Sequence, residues 1–187
     1  MDIYGYHALV CKGHLLPRHN IVRDALFYLC QKACFSPIKD AKVTCLGYRS
    51  GQPSAFRPAD LLIAGDDFDQ DCLDVTVVSP IITNNQPEIV VGKKAGEAQK
   101  KKYQKHLIAC ESAGFGFKAF ALDVFGIMAG EAKRFTHRLC STMMRVADFP
   151  EYMAHAIVYR RISFSVQLGV ARQFVACRAL EESTVNM

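Results

Sequence analysis

Hydrophobic and polar positions along the chain follow two periods, and the switches between them mark out the elements. Ile21, Val22, Ala25, Leu26, Leu29, Cys30 and Ala33 recur at helical spacing. Asn20 is placed to cap that helix, Asp24 suits its first turn, and Ser36 and Pro37 are placed to stop it. PIKDAKVTCLGY then reads as a strand with Asp40 near its start, and the loop RSGQPSAFRP leads into a hairpin. Leu61, Leu62 and Ile63 form its first strand, and CLDVTVV forms the second, with Asp74 and Thr76 on one face and Leu73, Val75 and Val77 on the other.

SPIITNNQPEIVVGKK carries turn signals and reads as a loop. AGEAQKKKYQKHLIACESAG follows as a helix ended near Gly114. FGFKAFALDVF is a further strand, in which Phe117, Ala119 and Ala121 alternate with Lys118, Phe120 and Leu122. Residues 129–147 and 151–181 read as two more helices, the last rich in Arg160, Arg161, Arg172 and Arg178. The layout predicts an α/β domain around one central sheet. At 187 residues the chain is long enough to bury a core without disulfide or metal staples.

Two acids stand out against this pattern. Asp60 directly precedes the first hairpin strand, and Asp74 lies inside the second. An ionised carboxylate buried in a strand is costly unless it is paired or binds a metal, so Asp74 calls for a cation. In the following helix Ala95, Ala98, Lys102, Ala109 and Ala113 share one side, with Tyr103, His106 and Cys110 beside them. Lys102 is thus the lysine that points inward, toward Asp74; the alternative is a lysine snorkelling along the helix edge. Asp40 is a third acid on a neighbouring predicted strand, and an exposed strand end is its other reading.

Charge adds a partner class. The formal net charge is +5, and Lys93, Lys94, Lys100, Lys101, Lys102 and Lys105 crowd one segment. Such clustering suits a polyanion, although solvated lysines on a surface helix read equally well. No apolar run approaches the roughly 20 residues of a membrane span, and His7, Lys12, His14, Arg18 and His19 interrupt the first residues, so an intracellular protein without membrane contact is expected. The eight cysteines have no framework spacing and read as reduced thiols, with the pair Cys30 and Cys34 in core packing.

Asp67, Asp69 and Asp71 have the spacing that begins a calcium loop, but position six is Cys72 rather than glycine and position twelve is Val78 rather than glutamate, so these acids read as a solvated turn. His7, Cys11 and His19 are candidate zinc ligands with no cysteine pair to complete them; satisfied loop histidines are the alternative. Two or three carboxylates at a sheet edge with a helix-borne lysine suit phosphodiester hydrolysis assisted by Mg²⁺ or Mn²⁺. There is no Walker loop, GxSxG or GxGxxG to support other chemistry.

RPAD followed after thirteen residues by DVTVVSP, with RHNIVRDAL upstream and KKKY downstream, resembles the restriction-endonuclease-like domain of non-LTR retrotransposon polyproteins and related retroelement-derived proteins. The resemblance runs from YGYHALVC to RRISFSVQLGVAR, nearly the whole chain. It implies a PD-(D/E)xK core over residues 20–187, a small mixed sheet flanked by helices, preceded at 1–19 by a remnant zinc knuckle. It implies metal-binding acids at Asp60 and Asp74, with Asp40 where glutamate is common and Thr76 where many such enzymes carry their lysine, whose work would pass to Lys102. The expected function is a Mg²⁺- or Mn²⁺-dependent DNA endonuclease that nicks target DNA, nuclear in a eukaryotic host. A nuclease-fold module that binds DNA without cutting it, or one that docks protein through its arginine-rich last helix, is the alternative.

Overall fold

A computed structural model describes residues 9, 15–41, 59–64, 70–82 and 88–185. The first helix, α1 (Leu15–Lys32), is followed by strands β1 (Ser36–Lys39), β2 (Leu61–Ala64) and β3 (Gln70–Val78), and by the short pair β4 (Ile81–Ile82) and β5 (Glu88–Ile89). Helix α2 (Lys93–Ser112), strand β6 (Gly116–Asp123) and helices α3 (Gly130–Arg145) and α4 (Glu151–Val185) complete the order. The mixed α/β layout expected from the sequence is observed.

The main sheet runs β1-β2-β3-β6. β1 and β2, and β2 and β3, pair antiparallel, whereas β6 lies parallel to β3 and so needs a crossover, which α2 supplies. One face of the sheet carries Leu61, Ile63, Leu73, Val75, Phe120 and Leu122 into the main core under α1, α3 and α4. The other face presents Leu62, Cys72, Phe117 and Ala119 to Cys110 of α2. Period-two alternation therefore puts Asp74, between Cys72 and Thr76, on the α2 face.

Several boundaries differ from the sequence reading. α1 begins at Leu15, so Asn20 lies inside it and is no cap, and the expected division between residues 19 and 20 falls within a helix. Pro17 is tolerated because first-turn amides have no helical partner. Arg18, 1% exposed, fixes this turn by donating to Gln173 Oε1 at 2.8 Å and to the Val77 carbonyl at 3.0 Å. Gly169 of α4 makes room for it: a Cβ there would stand 2.9 Å from Arg18 Cγ and 3.1 Å from its Cα.

α1 stops before Ser36 and Pro37. Cys34 takes a left-handed conformation at φ 59, with Cys34 N donating to Gln31 O and Phe35 N to Cys30 O, a Schellman closure that leaves Ser36 and Pro37 free to enter β1. Cys34 is consequently exposed while Cys30 is buried, so the expected joint core packing of the pair holds for Cys30 alone. No disulfide joins the six described cysteines. Gly114, φ 81, closes α2 by the same bonding, as its sequence position predicts. The stretch read as a loop after β3 contains the β4–β5 hairpin, with Ile81 opposite Ile89.

Asp71 departs most from its expected place. It belongs to β3 and is buried, not part of a solvated turn; Asp67 and Asp69 lie outside the described residues. Its carboxylate is held by Arg138 of α3 at 3.0 Å and Lys118 of β6 at 3.5 Å. Gly116 opposite it has no side chain to displace that carboxylate, which a Cβ would meet at 2.2 Å.

Candidate functional site

Asp60 and Asp74 face one another across the antiparallel β2–β3 pair, continuing the register that sets Leu61 against Leu73. The backbone of Asp60 is pinned on both sides: its amide donates to Leu73 O at 3.0 Å, and its carbonyl accepts the Asp40 amide at 2.9 Å. Its side chain is equally fixed, with Oδ2 accepting the Val75 amide at 2.6 Å and Oδ1 lying 3.0 Å from His19 Nε2. Burial pushes the Asp60 carboxyl up, but the His19 and Val75 hydrogen bonds outweigh it and hold the group below the ordinary aspartate range. Asp60 is accordingly ionised at neutral pH.

Asp74 lies deeper and is only 6% exposed. Lys102, from α2, donates to Oδ1 at 3.1 Å and stands 2.8 Å from Oδ2. The buried Oδ2 has no aligned hydrogen-bond donor among the described residues, so its contact with the ammonium is electrostatic. Burial raises the carboxyl to about 6; Lys102 opposes that rise and the Asp60 charge adds to it. The two acids thus sit in environments that separate their affinities for a proton, a common property of functional carboxylate pairs.

One turn beyond Lys102 on α2, His106 is buried against Phe117, with Nε2 3.9 Å from Asp74 Oδ2. Burial, followed by the charges of Lys105 and Lys102, lowers its pKa to about 4, so the ring is neutral at neutral pH. These groups line a cleft of about 510 Å³, together with Thr76 and Lys105. An open cleft with two carboxylates on one wall and lysines on the other can take a hard cation beside a phosphate.

The structure therefore brings together Asp60, Asp74 and Lys102, and places Thr76 at the same cleft. Asp40 is not brought to it. β1 ends at Lys39, and Asp40, at φ 49, turns its carboxylate outward to Arg23 Nη1 at 3.3 Å. His19 is in the cleft, bonded to Asp60, whereas its expected zinc partners His7 and Cys11 lie outside the described residues. No group of three His, Cys, Asp or Glu side chains is assembled to chelate a metal among the described residues. The residues that could hold a cation are Asp60 and Asp74, which matches magnesium's habit of using one or two carboxylates and filling its remaining positions with water and phosphate oxygens.

The sequence places His106 beside the Lys102 stripe without giving it a role, and it does not show the contact of His19 with Asp60. The first had a signal, since a residue four beyond Lys102 shares its helix face. The second had none, because the reach of His19 to Asp60 depends on how α1 crosses the sheet. Among the described residues no helix is long and apolar enough to cross a membrane. Comparison with protein-family models and with curated proteins gave no match.

Proposed function

We propose that the chain is a divalent-metal-dependent DNA endonuclease domain with a PD-(D/E)xK-type core, similar to the nuclease domains of non-LTR retrotransposons. The observation that carries this reading is the pairing of Asp60 with Asp74 across β2 and β3, with Lys102 of α2 on Asp74. The surrounding topology supports it: an antiparallel pair bears the acids, and the crossover helix to a parallel strand bears the lysine.

Each side chain has a role consistent with that chemistry. His19 and the Val75 amide keep Asp60 ionised and oriented. Two facing carboxylates repel one another, and a divalent cation relieves that repulsion better than Lys102 alone. When bound, Mg²⁺ or Mn²⁺ would lower the pKa of an attacking water and offset the charge of the phosphorane. Lys102 is then free to turn its ammonium toward a phosphate oxygen or the attacking water, while the exposed Lys105 on the cleft wall attracts the DNA backbone.

The test is cleavage of supercoiled and branched DNA with Mg²⁺, Mn²⁺ or EDTA. Metal-dependent nicking is expected, and Lys102→Met should slow it by about 100-fold, the scale of one lost transition-state charge contact. Salt-sensitive DNA binding with no cleavage under any metal would replace the nuclease reading with that of a nuclease-fold module that only binds.

A further inference from the structure

A second surface is separate from the carboxylate cleft. Between the C-terminal half of α1 and the N-terminal half of α4 lies a groove of about 680 Å³ whose walls include Tyr28, Tyr152, Phe164, Arg160 and Arg161. Tyr152 is 72% exposed and Phe164 67%. Large aromatic rings left this open in one groove expose apolar area that stacking against a ligand's ring faces would remove from water. The cations are arranged with them. The Arg161 guanidinium lies 4.6 Å from the Tyr28 ring centroid, and Lys32 Nζ is 5.6 Å from the same ring. Neither Arg160 nor Arg161 has a carboxylate partner among the described residues, in contrast to Arg23, Arg134 and Arg138, each of which is ion-paired.

Open aromatic faces beside unpaired guanidiniums complement a chain of bases joined by phosphates. We infer that this groove binds single-stranded nucleic acid, stacking bases on Tyr152 and Phe164 and holding phosphates with Arg160 and Arg161. A purely apolar partner helix would cover the wall but leave the two guanidiniums without anions, whereas a single strand offers ring faces and phosphates together. The geometry also relates the groove to the cleft. Tyr28 follows His19 by nine residues on α1, which is about 13 Å along the axis and half a turn round it. The groove is therefore placed for a strand that has left the cleft, not for the scissile phosphate. This inference rests on the reading of the chain as acting on DNA, but its test does not require cutting.

The test is the binding of a labelled short oligothymidylate, followed by fluorescence anisotropy in EDTA over a range of salt concentrations. The proteins compared are the wild type, Tyr152→Ala/Phe164→Ala and Arg160→Gln/Arg161→Gln, with circular dichroism to verify the fold; these surface positions lie outside the core. Removal of the two rings should weaken binding by on the order of tenfold or more. The arginine pair should lower the salt slope by about 1 to 2. Unchanged affinity in both variants, or no binding by the wild type, overturns the inference. So does self-association seen by sedimentation that the ring variant abolishes without altering oligonucleotide affinity, which would assign the groove to a second copy of the chain. Loss of binding in the variants of a protein that cuts no DNA would leave the inference standing and remove the nuclease reading.

Discussion

Asp74→Asn is expected to abolish DNA cleavage, by about 1,000-fold or more, as loss of a metal-holding carboxylate should, and at the same time to make the protein more stable. The stability gain follows from the environment of the acid. Its carboxyl is raised to about 6, above the ordinary aspartate value, mainly by burial and despite Lys102. The folded state therefore holds this proton more tightly than the unfolded chain. The associated stability is fully present below the unfolded value, near 4, and is lost as pH rises through about 6. At neutral pH the ionised carboxylate accordingly destabilises the fold by about 3 kcal/mol, which asparagine removes while keeping size and polarity.

Urea unfolding in EDTA should show the variant equal to wild type near pH 4, pulling ahead between pH 4 and 6 and keeping a constant advantage above about pH 7. A variant less stable than wild type at neutral pH would mean that the Lys102 ion pair outweighs burial. Activity and stability then oppose one another at a single residue, as expected where a site is held in a conformation the fold alone would not choose.

The second large effect belongs to Arg18 and is purely structural. Its guanidinium is buried with neutral partners: Gln173 Oε1, the Val77 carbonyl and, at 3.4 Å, the Leu9 carbonyl. Burial lowers its pKa to about 10, so it remains charged at neutral pH. Arg18→Ala removes the hydrogen bonds that Arg18 gives to Gln173 and Val77 and opens space where α1 meets Gly169, for an expected loss of about 3–5 kcal/mol. Arg18→Met fills most of that space and removes a poorly compensated charge, so its loss should be about 1–2 kcal/mol. Denaturant midpoints of the two variants measure this difference directly. Equal losses would show that the hydrogen bonds, not packing and burial, dominate.

What the sequence made legible was local. The hairpin and the placement of Asp74 follow from period-two alternation over nine residues, and the inward face of Lys102 follows from helical spacing within α2. Asp71 was misread because nothing near it in the chain marks it as buried; its partners Lys118 and Arg138 come from β6 and α3. Asp40 takes the second of its two readings, an exposed strand end, because β1 is only four residues long and ends before the acid. The start of α1 lies upstream of its expected place because Asn20 resembles a cap, whereas the anchoring of Arg18 to β3 and α4 carries the helix back to Leu15, more than one turn further. For Asp71 and for the start of α1 a contact distant in sequence overrode a sound local preference.

Metal-dependent cleavage requires that Asp60 and Asp74 form a cation site. Electron paramagnetic resonance of Mn²⁺ titrated into the protein, without nucleic acid, tests that directly. The prediction is Mn²⁺ bound by the wild type and displaced by excess Mg²⁺, with binding weakened by about tenfold or more in both Asp60→Asn and Asp74→Asn and unchanged in Asp40→Asn. Binding unaffected by either Asp60→Asn or Asp74→Asn, or weakened only by Asp40→Asn, would contradict it.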